Sequence, residues 1–166
     1  LSDTAALIMN DGILDLAGTV EHHETVLETI INGSVAIERS AGTSVINLNT
    51  ITRNAGSLSI SADNIATTDN TNVNGILGGW ATVGGSFATN STNGTDGLIV
   101  GLATFDQNID RLTGGAGTQS IDDGAASNVR IVEDGSTANP ITLTGVGTTT
   151  INTLLQAAAG GEAIVE

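Results

Sequence analysis

Residues 12–60 read GILDLAGTVEHHETVLETIINGSVAIERSAGTSVINLNTITRNAGSLSI, a stretch that repeats one short pattern five times. The copies are apolar runs of strand length: GILDL (12–16), TVLETI (25–30), GSVAI (33–37), TSVINL (43–48) and GSLSI (56–60). Strand-length runs that begin about every ten residues and are separated by Gly, Asn, Ser and Thr are typical of β-sandwiches, β-barrels and β-solenoids. The stretch therefore predicts an all-β fold.

Among these folds, the composition favours a β-solenoid. The chain has 166 residues, including 22 glycines and one proline. Its aromatic residues are Trp80, Phe87 and Phe105, whereas a globular core of this length normally uses more large rings. A thin column of aliphatic side chains does not need them. We therefore expect a parallel β-solenoid, which we interpret as a fragment of a longer repeat protein.

Alternation within the strands identifies the expected core. In GSLSIS (56–61), Leu58 and Ile60 alternate with serines, so these two side chains should face inward and the serines outward. The same reasoning along the chain predicts twelve core residues: Leu14, Leu16, Val35, Ile37, Ile46, Leu48, Leu58, Ile60, Val129, Ile131, Ile141 and Leu143.

Charge and residue usage exclude several classes of function. The net charge of −14 argues against a nucleic-acid partner, because phosphate binding requires clustered Lys and Arg. All four basic residues are Arg, and Cys is absent, which excludes Schiff-base lysines, disulfides and thiolate metal sites. We expect no membrane insertion, because no stretch reaches the ~18 apolar residues of a membrane helix. This composition suits an extracellular or cell-surface bacterial protein.

The pattern divides the chain into three segments. Residues 1–66 are predicted to form solenoid coils, 67–97 a Gly/Asn/Thr-rich loop excursion that carries Trp80, and 98–166 further coils that continue the stack. A short helical turn over 153–159 is an alternative to a strand corner there. A final strand at 163–165 is predicted without a cap. We therefore expect the open end of the stack to be covered by neighbouring repeats or by another copy of the chain, which allows a homopolymer.

Two segments resemble a known family. The sequences NTITRNAGSL (49–58) and NGILGGWATVGG (74–85), followed by the strand GLIV (97–100), resemble the autotransporter-associated β-strand repeat proteins. These are large, repetitive, secreted or surface-attached bacterial proteins. The resemblance covers about 49–104. It implies a right-handed β-helix, export from the cell and a structural or adhesive role, and it implies no catalytic residues. After Gly85 this chain has Ser86 and Phe87 where the family has an acidic residue and a second Trp, so only a packing role carries over for Phe87.

The pair His22–His23, flanked by Glu21 and Glu24, has the donor types of a divalent metal site. Adjacent residues of a strand point to opposite faces, which keeps the two imidazoles from sharing one ion. We interpret the cluster as a solvated turn.

Two other segments partly match calcium motifs. Asn70, Asn72, Asn74 and Gly75 follow the opening of a calcium loop, but Ala81 occupies the position of its closing carboxylate. The run GGAGTQ (114–119) has Gln where the calcium-binding β-roll repeat has Asp. We interpret both as turns and predict no metal and no cofactor.

Asp122 and Asp123, with Arg111 and Arg130, have the residue types of polysaccharide-cleaving β-helices. Such an enzyme needs carboxylates gathered on one face of consecutive coils, and Asp-Asp-Gly is also an ordinary turn. The threonines at 142–150 suggest an ice-binding face, but the required Thr-x-Thr is absent from the strands at 34–36 and 129–131. We favour the turn and predict that the chain is not an enzyme.

The sequence thus favours a structural building block of a secreted or cell-surface β-solenoid protein, which assembles into a fibre if strands stack between chains. One alternative is an adhesin that binds a glycan or host surface through 67–97, where the candidate ligand or packing residues are Trp80, Phe87, Asn72 and Asn74. The other alternative is a polysaccharide-active enzyme.

Overall fold

A computed structural model describes residues 3–109, 119–132 and 141–157. Within these ranges the chain is all-β with no helix, and stacked parallel strands form a β-solenoid of about six turns. The predicted fold class is confirmed. Arg111, most of the glycine-rich run at 114–119 and the predicted strand at 163–165 lie outside the described residues.

Within the described ranges, seventeen strands follow one another. They are β1 (Leu7–Met9), β2 (Gly12–Asp15), β3 (His23–Thr25), β4 (Thr29–Ile31), β5 (Ser34–Glu38), β6 (Val45–Asn47), β7 (Ile51–Arg53), β8 (Ser57–Ile60), β9 (Ala66–Thr68), β10 (Ala81–Val83), β11 (Ser86–Asn90), β12 (Gly97–Gly101), β13 (Gln107–Ile109), β14 (Gln119–Ile121), β15 (Gly124–Ile131), β16 (Ile141–Leu143) and β17 (Ile151–Gln156). They divide between two compact units, Leu1–Leu102 and Ala103–Glu166.

The first unit has three columns of parallel strands. The first column is β1-β4-β7, the second is β2-β5-β8-β10 and the third is β3-β6-β9. Leu7 pairs with Thr29 and Thr29 with Ile51, so one coil takes 22 residues. Two of the apolar runs therefore fall in each three-sided coil, and the repeat of the structure is about twice the ten-residue spacing of the runs.

Aliphatic side chains fill the interior of this unit. Ile31, Ile37, Leu48 and Ile60 are fully buried, and each contributes about 1.5–3 kcal/mol to stability when removed from water. The interior continues through seventeen buried residues from Met9 to Ile99. A narrow column of Ile, Leu and Val thus replaces the aromatic core of a globular domain.

Antiparallel strands close one end of the first unit. β10 continues the second column on β8, but β11 pairs antiparallel with β10, β12 pairs antiparallel with β11, and β12 also pairs antiparallel with β9 of the third column. Gly84 and Gly85 form the two-residue turn between β10 and β11, and both have positive φ, as a hairpin turn of this length requires. The segment 67–97, predicted as a loop excursion, thus contains two complete strands of this closure.

The second unit has two sets of parallel strands, β13-β15-β17 and β14-β16. Gln107 pairs with Val129 and Gln119 with Ile141, which repeats the 22-residue coil. Ile109, Ile121, Val129, Ile131 and Ile141 form its buried cluster. Residues 153–156, part of the helical turn considered over 153–159, instead belong to strand β17, which pairs in parallel with β15 with one register shift.

Most of the predicted core residues face the interior. Nine of them are buried: Val35, Ile37, Ile46, Leu48, Leu58, Ile60, Val129, Ile131 and Ile141. Leu14 and Leu16, in the first coil, are half-buried and pack against the cluster. The prediction is wrong for Leu143, which is 47% exposed. Leu143 is the last residue of β16, a three-residue strand that pairs on one side only within the described residues.

Candidate functional site: polar side chains that join the coils

A ladder of asparagines runs along one corner of the first unit. Asn10, Asn32 and Asn54 each follow a strand of the first column. The Nδ2 of Asn32 donates to the Oδ1 of Asn10 at 2.9 Å, and the Nδ2 of Asn54 donates to the Oδ1 of Asn32 at 2.8 Å. The three amides therefore connect three coils along the stack, as amide ladders do between stacked strands.

Glycines beside this ladder allow the coils to approach closely. A Cβ at Gly33 would overlap the backbone oxygen of Asn10, and a Cβ at Gly56 would overlap the backbone of Gly33. Gly56 also has a φ of +72°. Asn and Gly thus share one corner because the amide joins the coils and the missing side chain makes room for the backbone.

Six aspartates accept a backbone N–H from another coil or from the closing strands. The acceptors and the residues that donate to them are Asp11 with Ser34, Asp15 with Ser40, Asp63 with Gly101, Asp69 with Asp96, Asp106 with Asn128 and Asp123 with Thr150, at 2.6–3.0 Å. A hydrogen bond to a charged acceptor is stronger than one between neutral groups. Carboxylates therefore brace the stack at six places within residues 3–109, 119–132 and 141–157.

Asn90 joins the closing strands to the last complete coil. Its side chain is 2% exposed, and its Nδ2 donates to the backbone oxygens of Thr68, Asn70 and Gly94 at 2.7–3.0 Å. Its Oδ1 accepts from the N–H of Thr92 at 3.0 Å. One buried amide thus satisfies several backbone groups that would otherwise be buried without partners.

The predicted ligand loop contributes its polar groups to the same network. The Oδ1 of Asn72 accepts from the N–H of Asn90 at 2.8 Å, and the Nδ2 of Asn72 donates to the oxygen of Asn90 at 2.8 Å. Asn74 lies in a turn with a φ of +51° and also makes polar contacts of its own. The side-chain amide of Asn72 therefore bonds to the backbone of Asn90 in β11 as the backbone of a neighbouring strand would.

The two aromatic side chains of this loop belong to the closure. Trp80 is half-buried and packs against the hydrophobic core. Its ring lies over Gly78, where an added Cβ would lie 2.7 Å from the Trp80 Cδ1 atom. Phe87 is half-buried in β11, paired with Thr82 of β10. The contacts assign the Trp80 ring to packing, whereas a packing role for Phe87 stays a prediction from the family resemblance.

The histidine cluster lies at the start of β3. The Nε2 of His23 is 3.0 Å from Glu21 Oε1, and both side chains are mostly exposed. His22 donates its backbone N–H to the Oγ of Ser44 in the next coil at 3.1 Å. No group of three or more His, Cys, Asp or Glu suitable for a metal is found among residues 3–109, 119–132 and 141–157.

The amide oxygens of the calcium-like loop are hydrogen-bonded to protein donors. The Oδ1 of Asn70 accepts from the N–H of Ile51 at 2.6 Å, while its Nδ2 donates to the oxygen of Ile51 at 2.9 Å. The Oδ1 of Asn72 is bonded to Asn90, as described above. These two side chains extend the sheet and do not converge on a common point.

Asp122 and Asp123 take part in separate contacts with the following coil. Asp123 accepts from the N–H of Thr150, and Asp122 Oδ1 accepts from the Oγ1 of Thr144 at 3.2 Å. Arg130 lies over the ring of Phe105, 5.2 Å from its centroid, and its Nε donates to Asn108 Oδ1. Each of these three charged groups thus has a different partner.

The sequence reasoning above missed the joining residues. A signal for the ladder was present, because Asn10, Asn32 and Asn54 recur every 22 residues and each precedes a glycine within two positions. A signal for the closure was also present, because Gly84–Gly85 between two β-prone runs is a hairpin pattern.

Comparison with known proteins adds no functional assignment. No protein-family model, no curated protein and no solved structure matches the chain. The resemblance to the autotransporter-associated repeat proteins therefore stays a prediction from sequence. No helix within the described ranges has the length and apolarity of a membrane span.

Proposed function

We propose that this chain is a structural building block of a secreted or cell-surface bacterial β-solenoid protein. The observation that carries the proposal is the use of polar side chains as connections between coils. Asparagine amides, aspartate carboxylates and close glycine contacts recur at about one coil's spacing and join each coil to the next. Their common effect within each unit is to brace the stack, because each coil is bonded to its neighbours.

The geometry favours this role over the adhesin alternative. A glycan site in 67–97 would need polar groups and an aromatic face available to a sugar. Asn72 is bonded to the backbone of Asn90, and the ring of Trp80 packs on Gly78 and the core. These residues instead belong to the antiparallel closure at one end of the first unit.

The structural role is also favoured over a polysaccharide-active enzyme. Hydrolysis of a glycosidic bond generally uses two carboxyl groups placed about 5–10 Å apart around the bond. Asp123 instead accepts from the backbone N–H of Thr150 at 2.6 Å, and Asp122 accepts from the Oγ1 of Thr144 at 3.2 Å. These carboxylates stabilise the stack in the way that Asp11 and Asp15 do in the first unit.

Single-molecule pulling of the chain, tethered at its two ends, tests the proposal. A load-bearing rod should unfold in steps of about one coil, each releasing roughly 75 Å of chain for 22 residues at about 3.4 Å per residue. Binding of the same protein to a glycan array tests the alternative adhesin function. Saturable binding of one glycan that Trp80→Ala removes, with an unchanged circular dichroism spectrum, would overturn the structural proposal in favour of an adhesin.

A further inference from the structure

We propose that the pair Asn32–Gly33 is a latent deamidation site, where the asparagine ladder holds back a reaction that separation of the coils releases. The product is a permanent chemical mark on a coil that has opened. The site follows from the ladder and from the chemistry of the pair, so it is independent of the proposed structural function.

An asparagine that precedes a glycine is prone to deamidation, because glycine has no side chain to hinder its own backbone nitrogen. That nitrogen attacks the Cγ atom of the asparagine and forms a C–N bond, and the side-chain amide leaves as ammonia with the proton of the glycine nitrogen. Water then opens the cyclic imide at one of its two carbonyl carbons and gives aspartate or isoaspartate. Water is the only co-reactant, and no atom is oxidised or reduced.

The sequence contains three pairs of this kind, Asn32–Gly33, Asn74–Gly75 and Asn93–Gly94. All three asparagines are exposed, so water reaches each of them. The residue that follows is the same in each pair, and the intrinsic reactivity of the three pairs is therefore similar. Differences between their rates in the folded chain then reflect the structure around each pair.

Two hydrogen bonds hold the side chain of Asn32. Its Nδ2 donates to the Oδ1 of Asn10 in the preceding coil at 2.9 Å, and its Oδ1 accepts from the Nδ2 of Asn54 in the following coil at 2.8 Å. The amide is thus fixed between two coils. To bring its Cγ to the nitrogen of Gly33, the side chain must leave at least one of these partners.

The backbone of Gly33 is restrained as well. A Cβ at Gly33 would overlap the backbone oxygen of Asn10, and a Cβ at Gly56 would overlap the carbonyl group of Gly33. Gly33 therefore has close backbone contacts with the coils on both sides. Ring closure requires the peptide between Asn32 and Gly33 to turn, so these contacts oppose the reaction in addition to the amide bonds.

Asn93–Gly94 is a comparison site in the same unit, in the turn between β11 and β12. Within the described residues, the side chain of Asn93 makes one hydrogen bond, in which its Oδ1 accepts from the N–H of Asn72 at 2.5 Å. A Cβ added at Gly94 would have its nearest neighbour, the oxygen of Thr92, 4.0 Å away. The partners of this pair belong to the closure, so a change in the ladder should leave its rate unaffected.

Deamidation at Asn32 would alter the ladder permanently. A carboxylate has no N–H to donate, so two acceptor oxygens would face each other between this position and Asn10. The hydrogen bond from Asn54 would remain, because a carboxylate still accepts. An isoaspartate would also add one carbon atom to the main chain beside the close contacts of Gly33. A coil that has reacted therefore cannot recover its original bonds.

The reaction records how long the coils are apart. Local opening and closing takes microseconds to seconds, which is far faster than ring closure. A brief opening thus leaves no mark, because the ladder forms again first. The rate at Asn32 should follow the fraction of time in which the rung is open, as the cleavage of transiently opened proteins does.

Peptide mapping by mass spectrometry tests the site in the full chain. The chain is incubated at mildly alkaline pH, folded or in urea, and the fraction of asparagine, aspartate and isoaspartate at each pair is followed with time. In urea the three pairs should react at similar rates. In the folded chain Asn32 should react at least about tenfold more slowly than in urea, because its two hydrogen bonds oppose the reaction.

Variants at Asn10 separate the ladder from the general stability of the unit. Asn10→Ala removes the acceptor for the Nδ2 of Asn32 and should speed deamidation there by about two- to tenfold. Asn10→Asp is the matched control, because a carboxylate oxygen at this position still accepts and should keep the wild-type rate. Asn93 should react at the wild-type rate in both variants.

Four results would overturn the proposal. They are equal rates at Asn32 in the folded chain and in urea, an unchanged rate in Asn10→Ala, the same acceleration in Asn10→Asp as in Asn10→Ala, and an equal acceleration at Asn93, which would indicate loosening of the whole unit. None of these results changes the size of the unfolding steps under force. Failure of the deamidation site and failure of the proposed structural function are therefore distinguishable.

Discussion

The backbone of Gly56 lies so close to that of Gly33, one coil earlier, that a Cβ atom at Gly56 would lie 2.7 Å from the Cα of Gly33 and would overlap its carbonyl group. This contact stands beside the asparagine ladder, where the Nδ2 of Asn54 donates to Asn32. Consecutive coils are therefore in close backbone contact at the corner where their amides are bonded.

Gly56→Ala should lower the free energy of unfolding by about 2–4 kcal/mol, because the methyl group adds a backbone clash to the strain of a positive φ. Gly84→Ala is the matched control: Gly84 also has a positive φ, of +55°, but the nearest atom to an added Cβ is 4.0 Å away. Its cost should be about 1–2 kcal/mol, from conformational strain alone. Denaturant titrations followed by circular dichroism measure both. Equal losses of unfolding free energy in the two variants would show that the contact between Gly33 and Gly56 contributes nothing to stability.

Asn90→Asp should destabilise the first unit by about 3–5 kcal/mol, although the two side chains have nearly the same size. The change removes the two N–H donors that serve the oxygens of Thr68, Asn70 and Gly94, and it turns a carboxylate toward those oxygens. Asn108→Asp, at an exposed position where the Oδ1 accepts from Arg130, should change stability by less than about 0.5 kcal/mol. The prediction fails if thermal melts show a similar shift for the two variants.

The rungs of the asparagine ladder should differ in their contribution to stability. Asn32→Ala removes two amide hydrogen bonds and should cost about 1–2 kcal/mol, whereas Asn54→Ala removes one and should cost about half as much. Urea titration of the two single variants and the double variant measures the coupling. Strict additivity would contradict a shared ladder, since the bond between Asn32 and Asn54 is lost in both single variants.

Strand identity and core positions in 12–60 were predictable because side chains alternate strictly along a strand. Leu58 and Ile60 face inward as their pattern requires. The coil length was harder to see, because corners vary: Asn32 is followed directly by Gly33, while Ala55 separates Asn54 from Gly56. The pairing of Leu7 with Thr29 and of Thr29 with Ile51 makes the 22-residue repeat of the first column explicit.

The antiparallel closure was not predicted, because an apolar pattern does not encode the direction of a strand. Ala81–Val83 continues a parallel column, and Ser86–Asn90 reverses it after the Gly84–Gly85 turn. The acidic side chains were equally difficult to assign. In the sequence, Asp69 and Asp123 cannot be distinguished from solvent-exposed turn residues. Their role depends on which backbone N–H group a later segment of the chain places beside each carboxylate.

The corner at Asn32–Gly33 is one residue shorter than the equivalent corner at Asn54–Gly56. This difference in length has a consequence for how the gene of such a protein can gain or lose coils. One extra residue there leaves the paired strands on either side in register, with Val35 opposite Leu58. An extra residue inside a strand would turn every following side chain to the opposite face. Duplication of DNA that encodes a whole coil would preserve every amide and backbone contact, so recombination between repeats can lengthen or shorten this protein without redesigning it.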